Sequence, residues 1–158
     1  KSKKGQLELH NAYEYIKTNS IAWASFWVSE EEIDNINIYQ ATHKAMHCVI
    51  KKLNIVPEHI LVDGDKFYPY RDNNYNIIPH ICITGGDNKY TPIAAASIIA
   101  KVERDKYIRE LCENNPELIR KYDLLNNKGY GTKKHLDGIR QYGTCEGHRK
   151  SFGICKEN

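Results

Sequence analysis

The first third of the chain alternates between helical and extended patterns of apolar residues. Residues 6–17 have a loosely helical spacing, and the aromatic-rich run at residues 21–28 predicts a strand. An acidic start at residues 30–34 leads into a second helix, because apolar positions recur every three or four residues over residues 38–53. This helix is expected to end before Pro57.

Two short apolar runs follow, and each stops near a carboxylate. The run at residues 59–62 is followed directly by Asp63, and the run at residues 77–83 is followed by Thr84, two glycines and Asp87. Both runs have the length and composition of buried strands.

The rest of the chain is predicted to be mostly helical. Thr91 and Pro92 are residue types that cap and open a helix, and the alanine-rich run after them predicts a helix to about residue 113. Shorter helices are predicted at residues 117–122 and 132–142, with a loop between them. Strands that alternate with helices indicate an α/β fold.

Composition indicates one globular domain in a reducing compartment. The 158 residues are 41% apolar, which is ordinary for a globular chain. The five cysteines form no C-x-x-C pair, and no apolar run approaches the roughly 20 residues of a membrane span. We therefore expect a cytoplasmic protein without membrane contact.

The net charge of +3 is small, but it is unevenly distributed. Residues 1–119 carry 14 basic and 16 acidic side chains, whereas residues 120–158 carry 9 and 4. A basic region of this kind suits phosphate binding, although a solvated surface is the more common explanation of such a charge run.

The strongest candidates for chemistry are Asp63 and Asp87. In open α/β sheets, ligands gather beyond the carboxyl ends of the strands, where both aspartates are predicted to lie. Paired carboxylates there could hold Mg²⁺ or Mn²⁺ through oxygen ligands. The alternative is that both aspartates belong to surface turns.

Five segments occur in a recognisable order. They are EIDNINI at residues 32–38, LVDG at 61–64, GD at 86–87 with IAAASI at 93–98, KGYGT at 128–132 with His135, and HRKSF at 148–152. Together they resemble the ribonuclease HII family, the type 2 ribonucleases H, in its bacterial form. The resemblance covers about residues 12–153.

This resemblance implies a ribonuclease H-like mixed sheet flanked by helices. Residues 1–115 would form the α/β core, and residues 116–158 a basic helical subregion of the same domain. The family begins with a strand ending in Asp-Glu and a Gly-Arg-Gly loop, and neither sequence occurs here. We therefore expect a chain without the family's first two strands, and we assign no role to residues 1–4.

The resemblance also implies an endonuclease that cuts the RNA strand of RNA/DNA hybrids and ribonucleotides embedded in duplex DNA. Four carboxylates would hold two Mg²⁺ or Mn²⁺ ions. Asp63 and Asp87 match two of these ligands, and the other two are missing from the chain. We therefore expect the chain alone to be inactive and the complete enzyme to be a monomer.

Tyr130 matches the family residue that reads the ribonucleotide 2′-hydroxyl, the group that distinguishes RNA from DNA. The flanking glycines would let its ring approach the sugar. Further substrate-binding residues implied by the resemblance are Lys128, Gly129, Lys133, Lys134, Lys101, Arg140 and Arg149.

Two other interpretations stay open. The missing Asp-Glu pair is compatible with a non-catalytic, nucleic-acid-binding remnant of a ribonuclease H. Separately, Cys145, His148 and Cys155 could be zinc ligands, although their spacing lacks a clear fourth ligand.

Overall fold

The computed structural model describes residues 3–156, so Lys1 and Ser2 of the basic start lie outside the described residues. The helices are α1 Lys3–Asn19, α2 Glu30–Lys52, α3 Thr91–Asn114, α4 Glu117–Tyr122, α5 Leu124–Asn127 and α6 Lys133–Tyr142. The strands are β1 Ile60–Asp63 and β2 His80–Ile83, and two 3₁₀ turns span Gly86–Asn88 and Gly153–Lys156. This order of elements agrees with the predicted α/β class.

The strands β1 and β2 pair in parallel, in a register that joins Ile60 to His80 and Asp63 to Ile83. Both strands were predicted, but β2 begins three residues later than expected. Pro79 has no N–H to donate to a ladder. In addition, Ile77 forms an isolated antiparallel bridge elsewhere, with Arg71.

The prediction of a strand at residues 21–28 is wrong. This segment is irregular, and no strand within residues 3–156 pairs with it. Ile21 is 89% exposed and Trp27 59% exposed, although Lys52 Nζ donates a hydrogen bond to the Ser25 carbonyl at 3.2 Å. An apolar pattern is compatible with the side chains of a strand, but a strand also needs a neighbouring strand to hydrogen-bond with its backbone.

The helices match their predicted positions, with two differences. Within α2, Asn37 leaves the helical conformation with φ 67° and ψ 162°. Its Oδ1 accepts the Gln40 N–H at 3.1 Å, so Asn37 caps the second half of α2. The short helix α5 forms where the sequence predicted part of a loop.

The chain divides into two compact units, and the division at residues 115/116 stays a prediction. The first unit comprises Lys1–Trp27 and Thr42–Glu103. Its main apolar cluster contains Tyr13, Ile99 and Val102.

The second unit comprises Val28–Ala41 and Arg104–Asn158. Its buried core consists of Ile108, Cys112, Leu118, Tyr122 and Ile139. No helix in the described part of the chain is long and apolar enough to cross a membrane.

Candidate functional site

One candidate site is an acidic edge in the first unit, formed by Asp63, Gly86 and Asp87. Asp63 is the last residue of β1 and lies opposite Ile83, the last residue of β2. Its Oδ1 accepts the Gly86 N–H at 2.9 Å. The sheet therefore brings Asp63 to the turn that carries Asp87.

A glycine allows close packing at the centre of this edge. Gly86 is buried, and a Cβ added there would lie 2.6 Å from Ile93 Cδ1. Because Ile93 is itself only 5% exposed, it has little room to move away. The close packing of Gly86 on α3 fixes the turn and, with it, the position of Asp87.

The donors at the acidic edge fit a hard divalent cation in type but not in number. Asp63 and Asp87 are both exposed, and Asn88 Nδ2 donates to Asp87 Oδ1 at 3.0 Å. Carboxylate oxygens are the ligands that Mg²⁺ and Mn²⁺ prefer. Within residues 3–156, however, no group of three or more His, Cys, Asp or Glu side chains is arranged to hold a metal ion. The zinc alternative with Cys145, His148 and Cys155 is therefore not supported.

A separate candidate site is the glycine loop, residues 128–132, in the second unit. Lys128 and Gly129 both have left-handed backbone angles, with φ 54° and 80°. A Cβ on Gly129 would also lie 3.4 Å from Arg104 Nη2, so a glycine suits this position on both counts. The loop leaves Tyr130 61% exposed.

Two side chains hold this loop in place, and the sequence had not indicated this role for either of them. The buried Asn127 donates from Nδ2 to the Tyr122 carbonyl at 2.6 Å and accepts the Gly129 N–H at 2.8 Å. Arg104 Nη2 donates to the Lys128 carbonyl at 2.8 Å, and its guanidinium lies 5.3 Å from the Tyr130 ring centroid. An Asn before a glycine-rich loop was the only available sequence signal.

The remaining predicted substrate residues are distributed over both units. Thr132 caps α6 by accepting the His135 N–H at 3.4 Å, so the exposed Lys133 and Lys134 follow the loop directly. Arg149 lies in the C-terminal segment of the same unit, whereas Lys101 lies on α3 within the first unit.

The buried imidazole of His135 and the half-buried imidazole of His148 connect the KGYGT-x-x-H motif to the HRKSF segment. His148 Nδ1 accepts the Cys145 N–H at 3.0 Å, so the proton of the neutral His148 ring is on Nε2. That Nε2 lies 3.3 Å from His135 Nε2, to which it donates. Burial lowers the pKa of both histidines, which favours the neutral rings that this arrangement needs.

The family model of ribonuclease HII matches residues 2–155. The chain belongs to the ribonuclease HII family. The ribonuclease HII of Parabacteroides distasonis is 48% identical over 142 residues, which are 90% of this chain and 67% of that protein. The ribonuclease HII of Phocaeicola vulgatus is 44% identical, over 94% of this chain and 71% of that protein.

A solved structure supports the same fold. The crystal structure of the ribonuclease H2 from Pyrococcus horikoshii matches with a TM-score of 0.73 at 20% identity, over 95% of this chain and 74% of that one. The predicted ribonuclease H-like α/β class is thus confirmed. Membership of the ribonuclease HII family places the chain among hydrolases, as an endonuclease of the ribonuclease H kind.

Proposed function

We propose that this chain carries part of the active site and the main substrate-binding loop of a ribonuclease HII. Its substrates would be RNA/DNA hybrids and duplex DNA with embedded ribonucleotides. Cleavage would occur on the 5′ side of the ribonucleotide and leave 5′-phosphate and 3′-hydroxyl ends. The main support is the acidic edge, where the Asp63 carboxylate accepts a hydrogen bond from the N–H of Gly86, the residue before Asp87.

The proposed roles come from the family resemblance, and the chemistry of each side chain is compatible with them. Mg²⁺ or Mn²⁺, when bound, would polarise the phosphodiester and activate water. Asp63 and Asp87 would supply two of four carboxylate ligands. Tyr130 would recognise the 2′-hydroxyl from its exposed position on the glycine loop.

The basic side chains would bind phosphates without reading the bases. This group consists of Lys101, Lys128, Lys133, Lys134, Arg140 and Arg149. A cytoplasmic location and a monomeric complete enzyme stay predictions.

The decisive experiment compares the 158-residue chain with the same chain preceded by a relative's segment that ends in Asp-Glu-x-Gly-Arg-Gly. Each is incubated with Mg²⁺ or Mn²⁺ and a DNA duplex that contains one ribonucleotide. We expect no cleavage by the chain alone, because only two of the four implied acids are in its sequence. The extended chain should cut at the ribonucleotide.

The two arms also test the alternative of a non-catalytic remnant. This alternative is favoured by the presence of only two matching acids. Duplex binding without cleavage in both arms would support it. Cleavage by the 158-residue chain alone would show that other acids replace the missing pair.

A second prediction concerns Tyr130. In the extended, active form, Tyr130→Phe and Tyr130→Ala should reduce cleavage at a single ribonucleotide by about tenfold or more, since the lost hydroxyl is a hydrogen-bonding group. Binding to all-DNA duplex should change little, because the lysines that contact phosphate are intact. Cleavage rates and dissociation constants measured side by side check this.

Tyr75→Phe is a suitable control, because Tyr75 is an 81% exposed tyrosine without a proposed role. Equal losses of DNA binding and cleavage in the Tyr130 variants would make this residue a structural one.

A further inference from the structure

The HRKSF segment contains a tight turn that presents a stacked cation. The Phe152 N–H donates to the Arg149 carbonyl at 3.2 Å and closes the turn. The Arg149 guanidinium lies 4.3 Å from the centroid of the Phe152 ring, which is within range for a cation–π contact. Phe152 is 61% exposed, so this stacked pair lies on the surface of the second unit.

A single carboxylate from the start of α2 holds this turn. Asp34 Oδ2 accepts the Lys150 N–H at 2.6 Å, and Oδ1 accepts the Ser151 N–H at 2.9 Å. The Ser151 hydroxyl donates to Oδ1 as well. Asp34 and Ser151 are 117 residues apart in sequence but belong to the same unit.

These bonds keep the carboxylate charged and satisfied. The Ser151 hydroxyl is the largest cause that lowers the pKa of Asp34, and the two backbone N–H groups and the charge of Arg149 act in the same direction. A bare carboxylate beside Arg149 would compete with phosphate for the guanidinium. Three donors to Asp34 reduce that competition, because its oxygens are already hydrogen-bonded.

We propose that Asp34 is a positioning residue for nucleic-acid binding, which fixes the turn of residues 149–152 so that Arg149 is held ready for a phosphate. This rests on the proposed function, in which Arg149 contacts the substrate backbone. An arginine that is already ordered loses less conformational freedom on binding than a free one. Asp34 itself need not contact the nucleic acid.

The test measures binding of the 158-residue chain to a ribonucleotide-containing DNA duplex over a range of salt concentrations. Asp34→Ala should weaken binding by about tenfold at low salt, similar to Arg149→Ala. The slope of log K against log salt should fall by about 0.9 in each variant, the value for one lost phosphate contact. The double variant Asp34→Ala/Arg149→Ala should bind no more weakly than Arg149→Ala alone.

Glu117→Gln is the matched control. Glu117 is another exposed carboxylate of this unit and pairs with Arg120 and Lys121. Binding by this variant should equal that of the unaltered chain. Asp34→Asn, which keeps the shape of the side chain, tests the same role if Asp34→Ala fails to fold.

A second measurement does not depend on the duplex. In the free chain, the amide hydrogens of Lys150 and Ser151 should exchange with solvent faster in Asp34→Asn than in the unaltered protein. Unchanged exchange, an unchanged salt slope, or fully additive losses in the double variant would each overturn the inference. If the unaltered chain does not bind the duplex at all, the proposed function fails first and this inference fails with it.

Discussion

Gly138→Ala is expected to destabilise the second unit by at least about 3 kcal/mol, the upper range for overpacking a core. Gly138 lies buried in α6, and a Cβ added there would lie 2.1 Å from the Lys121 carbonyl oxygen and 3.2 Å from Tyr122 Cδ1. The first of these neighbours is backbone of α4, which cannot rotate away. The helices would have to separate, and typical net stabilities of about 5–15 kcal/mol leave little margin for this loss.

Urea unfolding measures the effect, with Gly147→Ala as the control. A Cβ on Gly147 would meet no atom within 4 Å, so this variant should unfold at nearly the same urea concentration as the unaltered protein. Coincident unfolding curves for Gly138→Ala and the unaltered chain would show that α4 and α6 are not packed as closely as in the structure.

Local signals in the sequence predicted most of the helical structure. The Thr91-Pro92 pair correctly marked the start of α3, and Thr132 caps α6 as its residue type indicates. The predicted bounds of α4 at residues 117–122 agree with the structure. Such signals succeed because caps and apolar periodicity act within a few residues of one another.

Features that depend on distant partners were not predictable in the same way. Residues 21–28 have the composition of a strand, yet a strand forms only when a second strand supplies hydrogen bonds.

One local feature, the break in α2 at Asn37, was also not predicted, although Asn is one of the few residues that tolerate a positive φ.

The candidate site shows the same division. The placement of Asp63 beside the turn that carries Asp87 was predicted from the ends of their apolar runs, because the carboxyl ends of neighbouring parallel strands lie at one edge of a sheet. The resemblance supplied the role of Tyr130. The contacts of Arg104 with its loop and of Asp34 with Ser151 join residues that only folding brings together.

In an active form of the enzyme, Asp63→Asn and Asp87→Asn should each reduce cleavage by at least about 10³-fold. Metal-assisted charge stabilisation contributes several kcal/mol to such reactions, and loss of a ligand removes much of it. The side-chain amide introduced by Asp63→Asn keeps an oxygen that can accept the Gly86 N–H, so the fold of the edge should persist while the negative charge is lost. Duplex binding should be unchanged or slightly tighter, because the lost carboxylate no longer repels phosphate.

Asp65→Asn is the control for this edge, since Asp65 is an exposed aspartate two residues beyond Asp63. It should leave cleavage intact. Mn²⁺ offers an independent measurement in the extended chain, because a bound paramagnetic ion broadens nearby amide signals. Gly64 and Gly86 should broaden in the unaltered protein and in Asp65→Asn, but less in Asp63→Asn. Equal broadening in all three proteins, together with undiminished cleavage by the Asp63→Asn enzyme, would show that Asp63 is not a metal ligand. A carboxylate ligand that loses its charge should bind the metal ion more weakly.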